Sequence, residues 1–366
     1  MKLLVTGGHV TPALACIQKA RQKYHQLNVV FVGRQFANTR ERIETFEYQE
    51  VKKIGIKFIS LHAGRLTRSL SIRTLENLWF FPLGFISAWQ ILQSEKPDAV
   101  LSFGGYLGLP VAFCAWLQHI PIFTHEQTIN PGLANRLISC FAKKTFIAFP
   151  QTSRFFPTHK TIYTGNPVRA EIFRVIRKPF VLIKTHPVIY ITGGSLGAHQ
   201  INCLIENLIS ALLQKYIVIH QTGNIEEYAD YTRLIKIRNK LPAVLKERYF
   251  LAQHFFAEEI GYIYSISDLV VARAGANTFF ELLACRLPAI FIPLPWSAHD
   301  EQKKQAQIFK DQGLGESYEG QDHIALLNLI NKTMAKLTNY RQNFNSITSK
   351  YDQPAAEIIL KTIFQK

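Results

Sequence analysis

The stretch DLVVARAGANTFFELLACRLPAIFIPLPWSAHDEQKKQA, residues 268–306, decides the fold. Residues 268–273 read as a buried strand: short, β-branched, and closed by the turn Arg273-Ala274-Gly275-Ala276. Asn277 or Thr278 is a candidate cap for the helix that follows, which runs to about Cys285. Arg286-Leu287-Pro288 ends that helix, and residues 289–293 form a second buried strand. This is a βαβ unit, whose parallel strands imply a sheet covered on both faces. Ligands on such sheets sit beyond the carboxyl ends of the strands. Those ends carry Gly275, Ala276, Asn277 and, after the second strand, residues 296–302. Small residues let backbone approach a ligand, and Glu281, one turn into the helix, is a carboxylate able to accept from paired hydroxyls. Its alternative reading is a charge that complements the positive helix end.

The same alternation extends outward on both sides. Residues 2–5, 28–33, 55–62, 98–103 and 121–124 read as strands, with helices over 12–24, 110–119 and 131–141. Prolines 150, 157, 167, 179 and 187 break the rhythm, so the domain junction is placed there, with Gly165-Asn166-Pro167 near the hinge. A second series starts at residues 188–191, followed by a helix to about Leu213 and strands near 217–221 and 250–252. The expected organisation is an N-terminal domain over 1–165, a C-terminal domain over 166–345, and a tail over 346–366. The amphipathic helix of that tail, about 355–364, is expected to pack back on the first domain.

A chain of 366 residues, 48% hydrophobic, suffices for two cores and excludes disorder as the default. The net charge of +16 favours an anionic partner such as phosphate or acidic lipid. Its basic residues are dispersed and match no nucleic-acid motif, which disfavours nucleic acid. The five cysteines (16, 114, 140, 203, 285) lack zinc or redox spacing and read as reduced thiols of a cytosolic protein. The N-terminus lacks a signal-peptide layout. Two uncharged stretches, 77–94 and 99–118, are interrupted by Pro82, Gly84, Gly104-Gly105 and Pro110, which argues against membrane spans.

Three glycine turns each follow a strand and precede a helix: Thr6-Gly7-Gly8, Gly104-Gly105-Tyr106 and Gly193-Gly194-Ser195-Leu196-Gly197. Exposed N–H groups and the helix dipole favour anions there, and three such turns over both domains imply a ligand held between them. None has the dinucleotide spacing or a P-loop lysine. His9 follows the first turn, where a neutral imidazole is a candidate general base; a histidine that merely bonds the loop is the alternative. His125-Glu126 ends another strand on the same rim, with Glu126 assisting catalysis or bonding loop amides. Arg169 is placed to reach a diphosphate or to lie on the surface. Residues 75–89 carry Leu75, Leu78, Trp79, Phe85, Ile86 and Trp89 at roughly helical spacing, with Pro82 expected to kink the helix. That stripe reads either as core or, beside Arg65, Arg68 and Arg73, as a patch docking on an anionic membrane.

Six segments in order, TGGHVTPALA (6–15), GGYLGLPVAFCAWL (104–117), HEQTINPGLANRL (125–137), GNPVRAEI (165–172), GGSLGAHQIN (193–202) and ARAGANTFFELLACRLPAIFIPLP (272–295), resemble the MurG family. These are UDP-N-acetylglucosamine:undecaprenyl-pyrophosphoryl-MurNAc-pentapeptide N-acetylglucosaminyltransferases of peptidoglycan synthesis. The resemblance covers residues 3 to about 350. It implies the α/β GT-B fold, two Rossmann-like doubly wound domains with an interdomain cleft. The implied reaction is inverting transfer of GlcNAc from UDP-GlcNAc to the C4 hydroxyl of MurNAc in lipid I, giving lipid II. UDP-GlcNAc is then a co-substrate, and no cofactor or metal is expected. The implied partners are undecaprenyl-linked lipid I, an anionic membrane surface and cell-wall synthesis proteins. The implied location is the cytoplasmic face of the bacterial plasma membrane, as a peripheral protein.

Carried over by residue, the donor contacts fall on Thr6, Gly7, Gly8, Thr128, Arg169 and Ser195. They continue to Ala257, whose backbone would read the uracil, and to Ala276, Asn277, Thr278, Phe279, Phe280 and Glu281, with Glu281 on the ribose hydroxyls. Gln302 would take GlcNAc hydroxyls, and the glycines 104, 105, 193, 194 and 197 would build phosphate loops. His9 becomes the candidate base, with Glu126 beside it. The sequence departs from the family pattern where Leu4-Val5 replace the leading glycines of the first loop and Thr128 replaces an asparagine after HEQ. It departs again at Glu301-Gln302-Lys303-Lys304-Gln305-Ala306. The alternatives from other classes are a sugar-nucleotide epimerase of the same architecture and an inactive nucleotide-sugar-binding scaffold.

Overall fold

The computed structural model describes residues 1–38, 43–61, 80–194, 197–351 and 354–365. Arg65, Arg68, Arg73, Leu75, Leu78, Trp79 and Ser195 lie outside the described residues. The chain forms two compact units, Met1–Arg169 with Pro354–Lys366, and Ala170–Gln353.

The elements of the first unit, in order, are β1 (Lys2–Thr6), α1 (Val10–Lys23), β2 (Asn28–Gly33), β3 (Phe36–Asn38), β4 (Ile43–Glu44), α2 (Phe46–Lys53) and β5 (Lys57–Ser60). Then come α3 (Phe80–Glu95), β6 (Ala99–Ser102), α4 (Gly105–Leu117), β7 (Ile122–Glu126), α5 (Leu133–Phe141), β8 (Lys144–Ile147) and β9 (Thr161–Tyr163). Seven strands make one parallel sheet in the order β5-β2-β1-β6-β7-β8-β9, while β3 and β4 pair separately. Successive side chains of a strand point to opposite faces. Leu3 and Val5 of β1 therefore join one core with Ala13, Ile17 and Phe31, and Leu4 joins the other with Leu92, Val111 and Ile138. The reversal of strand order at β1 and β6 opens a crevice at their carboxyl ends, where such sheets hold ligands.

The second unit continues with β10 (Val188–Thr192), α6 (His199–Glu206), α7 (Ile209–Lys215), β11 (Ile217–Gln221), α8 (Asp230–Lys240), α9 (Ala243–Lys246), β12 (Tyr249–Ala252) and α10 (Ala257–Ile266). It closes with β13 (Leu269–Ala272), α11 (Ala276–Ala284), β14 (Ala289–Phe291), α12 (Glu301–Asp311), β15 (Gly315–Ser317), α13 (His323–Ala335) and α14 (Leu337–Tyr351). Its six-stranded parallel sheet has the order β12-β11-β10-β13-β14-β15. The last helix, α15 (Ala355–Phe364), returns to the first unit, where Ile359 enters the core and Lys19 pairs with Glu357 at 2.5 Å beside α1. Both units are Rossmann-like, doubly wound α/β folds.

Three local expectations are corrected. The helix after β13 is capped by Gly275, not by Asn277 or Thr278, and the cap makes no side-chain bond. A polar cap contributes about 1 kcal/mol. Starting the helix at Ala276 buries Phe279 and Phe280, at about 1.5–3 kcal/mol each, so burial decides the register. The helix expected at 110–119 begins at Gly105 and holds Pro110 inside it. An internal proline costs about 3 kcal/mol, which burial of Leu107, Val111, Cys114 and Ala115 offsets. The helix expected to reach Leu213 is two helices, because a turn at 207–208 brings Leu208, Ile209, Leu212 and Leu213 onto the core that holds Ile201 and Ile205.

Candidate active site

In the first unit three strand ends build one rim. The β1 loop needs its glycines: Gly7 has φ +146°, and a Cβ there would lie 2.6 Å from the Phe103 nitrogen. The Gly8 N–H donates to the Gly104 carbonyl at 3.1 Å, and a Cβ on Gly105 would lie 2.9 Å from the Gly8 nitrogen. The two glycine turns are thus docked backbone to backbone, with N–H groups at the starts of α1 and α4. Thr6 does not present its side chain: it is fully buried, and its carbonyl accepts from the Phe103 N–H.

His9 is half-buried at the N-cap of α1, and its Nδ1 lies 2.8 Å from the Gln127 amide nitrogen. Burial lowers the pKa of His9, and the nearby Glu126 carboxylate opposes that shift without reversing it. A ring held below the usual histidine range is neutral at pH 7 and has a lone pair to offer.

Glu126 is built differently from the catalytic group expected of it. Its Oε1 accepts from the Thr128 N–H at 2.9 Å and the Thr128 hydroxyl at 2.6 Å. Its Oε2 accepts from the Gly132 N–H at 3.2 Å and the Asn135 amide at 2.9 Å. With four donors on a side chain that is 2% exposed, both oxygens are occupied and Glu126 organises the 126–135 loop. Thr128, expected as a ligand contact, has its hydroxyl within that same loop, on Glu126 and the Asn130 carbonyl. Asn135, absent from the sequence expectations, links Thr124, His125 and Glu126 from inside α5. Its only sequence signal was a polar residue on the buried face of a helix. His125 is buried, bonds the Gly165 carbonyl through Nε2 at 3.1 Å, and has its pKa pushed down to about 4 by that burial. Arg169 ends the first unit, half-buried.

In the second unit the loop after β10 leads into α6. A Cβ on Gly193 would meet the Ala198 nitrogen at 2.1 Å, and Gly197, at φ +88°, would meet the Thr222 carbonyl at 2.1 Å. Thr192 Oγ1 accepts from the Gly194 N–H at 3.0 Å, and the Gln221 amide donates to the Gly194 carbonyl at 2.9 Å. Side chains from two strands thus hold the glycine loop ahead of a helix N-terminus, the arrangement that binds phosphate. Ala257 is the first residue of α10 and half-buried.

The start of α11 presents the half-buried Asn277 and Thr278, whereas Ala276, Phe279 and Phe280, expected as ligand contacts, are buried, the two rings at 1% and 2% exposure. Phe279 packs edge-on against Phe309 at 5.5 Å and on Phe291, so both phenylalanines belong to the core. Glu281 is buried, and its Oε2 accepts from the Tyr264 hydroxyl at 2.9 Å, which fixes the carboxylate's orientation. Gln302 accepts from the Leu294 N–H at 3.0 Å through Oε1, so what it offers a ligand is its amide N–H. Arg273, also absent from the expectations, donates to the carbonyls of Ile292 and Pro293 and to Gln200, joining the ends of β13 and β14 to α6.

Among the described residues, His199, Cys203 and Asp230 are close enough to share a metal ion. Arg233 already donates to Asp230 at 2.7 Å and pairs with Glu206 at 2.5 Å, so the cluster is an ion-pair network with its cation in place.

The stripe expected on a membrane divides between core and surface. Of its described members, Phe85 and Trp89 pack against the first unit's core, Phe85 edge-on to Phe113 at 5.6 Å, and Ile86 is exposed. Leu83 of α3, Trp116 and Leu117 of α4, and Leu133 and Leu137 of α5 are exposed too, with Arg136 and Lys143 beside them in sequence. No helix among the described residues is long and apolar enough to cross a membrane.

Two doubly wound parallel-sheet units, each with glycine loops at its strand ends, have the architecture of the GT-B fold. Residues 6–147 match the glycosyltransferase family 28 N-terminal domain and residues 188–359 its C-terminal domain. The chain belongs to this family and, within it, to the MurG group. It is 30% identical to a Bacillus cereus UDP-N-acetylglucosamine--N-acetylmuramyl-(pentapeptide) pyrophosphoryl-undecaprenol N-acetylglucosamine transferase, over 100% of this chain and 98% of that one. A Treponema denticola enzyme of the same name is 34% identical over 87% of this chain and 82% of its own length. The crystal structure of Acinetobacter baumannii MurG is similar with a TM-score of 0.69 and 26% identity, covering 99% and 98% of the two chains. A Neisseria meningitidis UDP-GlcNAc 2-epimerase shares the fold at a TM-score of 0.64 and 17% identity, over 100% of both chains.

Proposed function

We propose that this glycosyltransferase moves GlcNAc from UDP-GlcNAc to the C4 hydroxyl of MurNAc in lipid I, giving lipid II and UDP. The observation that carries the chemistry is His9: a half-buried imidazole with lowered pKa, on a rim where the nearby carboxylate, Glu126, has both oxygens hydrogen-bonded. The names of the relatives supply the substrates. The reaction is a single displacement with inversion. As the acceptor oxygen bonds to the sugar C1, the bond from C1 to the diphosphate breaks, His9 takes the hydroxyl proton, and UDP leaves with the electron pair. The N–H groups around Gly193, Gly194 and Gly197 and the start of α6 carry the charge that develops on the leaving diphosphate, a role that needs no metal. Glu281, held by Tyr264, accepts from the ribose hydroxyls.

The acceptor is a lipid, and the exposed apolar side chains of Leu83, Ile86, Trp116, Leu117, Leu133 and Leu137, on three helices of the first unit, support docking at the cytoplasmic face of the plasma membrane. The net charge of +16 supports an anionic leaflet as the partner. An epimerase has no use for such a surface, and its likeness extends to the fold alone.

The test supplies labelled UDP-GlcNAc and a lipid I analogue and follows transfer. His9→Ala is expected to lose turnover while keeping UDP affinity, and Glu281→Ala to weaken UDP binding. Donor binding without transfer in the wild-type chain overturns the enzyme reading in favour of a binding scaffold. Equal loss of UDP affinity in the two variants refutes their separate roles.

A further inference from the structure

His9 and Gln127 are 118 positions apart in sequence, and their side chains meet at 2.8 Å. Gln127 is 8% exposed, and its amide oxygen has no hydrogen-bond partner among the described residues. A carboxamide has a donor end and an acceptor end of nearly equal size, and a half-turn exchanges them within one envelope. Which end faces Nδ1 decides the tautomer of the ring. An amide N–H directed at Nδ1 leaves the ring proton on Nε2, where no lone pair is then available. An amide oxygen directed at Nδ1 accepts its N–H, and Nε2 keeps the lone pair.

We propose that Gln127 is the positioning residue of His9: its amide oxygen accepts the Nδ1–H and holds the ring in the tautomer whose Nε2 receives the acceptor hydroxyl's proton. This rests on the reading of His9 as the general base. The amide nitrogen stands 2.8 Å from Nδ1, and a half-turn of the carboxamide puts the oxygen in that place and the NH2 group where the oxygen was. The fold also explains why the side chain is held there. Glu126, the residue before it, is fixed by four hydrogen bonds, so Gln127 projects from an immobile point. In a Ser-His-Asp triad an ionised carboxylate orients the ring and stabilises the imidazolium. A neutral amide orients without adding charge. Among the described residues, the titratable groups that act on His9 are Glu126 and His125, from the end of β7.

The experiment combines nitrogen NMR of the full chain labelled with 15N-histidine and steady-state kinetics of three variants. In the wild type the His9 signals should show Nδ1 protonated and Nε2 bare. Gln127→Leu should move the ring toward the Nε2–H form and lower kcat by about 10- to 100-fold, a fraction of the roughly 100- to 10,000-fold a general base supplies, with KM for UDP-GlcNAc nearly unchanged. Gln127→Glu, which only accepts at Nδ1, should keep the tautomer and most of kcat. Its charge should move the acid limb of the kcat–pH profile upward by about one unit. That limb remains readable if Gln127→Leu does not fold. A wild-type ring protonated on Nε2 overturns the proposal, as does an unchanged kcat in Gln127→Leu or an unmoved limb in Gln127→Glu. His9→Ala separates the two layers. Turnover retained there removes the base reading itself, whereas turnover lost there but kept in Gln127→Leu removes only the positioning role.

Discussion

Replacing Glu126 distinguishes a loop organiser from a catalytic carboxylate. In Glu126→Leu, four donors lose their acceptor: the N–H groups of Thr128 and Gly132, the Thr128 hydroxyl and the Asn135 amide. The hydroxyl still reaches the Asn130 carbonyl and the Asn135 amide still reaches the His125 carbonyl, so both keep one partner. The two backbone N–H groups keep none of the bonds seen here, and each buried unsatisfied donor costs about 1–3 kcal/mol. Gly132 is exposed and water can replace its bond, so the Thr128 N–H carries most of the cost and the total is about 1–3 kcal/mol. Glu126→Gln retains one oxygen and should lose roughly half of that. Urea unfolding in a Trp296→Phe background reads the first unit alone, because the other tryptophans, Trp79, Trp89 and Trp116, belong to it. The expected result is a lower midpoint in both variants, with turnover falling in the same order as stability. A loss of kcat of about 100-fold or more in Glu126→Gln at unchanged midpoint would refute the reasoning and return Glu126 to the chemistry.

Acidification should weaken both units. His125 in the first and His220 in the second are buried and held neutral, with pKa values pushed down to about 4 and about 3 from the usual 6.5. The unfolded chain takes up these protons first as pH falls below about 6.5, so stability drops by up to about 1.4 kcal/mol per pH unit per histidine until the folded-state values are reached. His220→Gln should flatten that slope in the second unit, measured by urea midpoints from pH 7 to 4; an unchanged slope assigns it elsewhere. Gly197→Ala should lose UDP affinity and thermal stability together, since its Cβ would meet the Thr222 carbonyl at 2.1 Å with φ at +88°; calorimetric UDP binding equal to wild type counts against the loop. Phe279→Ala should cost about 3–5 kcal/mol by leaving a core cavity, and a selective loss of UDP affinity at full stability would restore it as a ligand contact. Trp116→Ser with Leu133→Ser should reduce flotation with anionic vesicles, Leu133 being 68% exposed, while Phe85→Ser should instead lower the unfolding midpoint.

The sequence by itself determined the two parallel sheets and the places where backbone must bend sharply. Residues 3–5 of β1, 188–191 of β10 and all of β13 run apolar without alternation because both faces of a parallel sheet are covered, so they stand out without any knowledge of partners. The turns at Gly7, Gly104 and Gly197 were legible because positive φ or a close backbone approach leaves glycine as the residue that fits. The tertiary structure decided which polar and aromatic residues face inward. Phe279 and Phe280 adjoin Glu281, and only the packing of α11 shows that the rings serve the core while the carboxylate meets Tyr264. Glu126 read as a candidate acid or base because a carboxylate at a strand end looks the same whether it faces a ligand or four loop donors. The bond between His9 and Gln127 joins side chains far apart in the chain, and no local period encodes it. Local sequence specifies conformations that one segment adopts alone; hydrogen-bond partners and tautomers depend on which segments the completed sheet brings side by side.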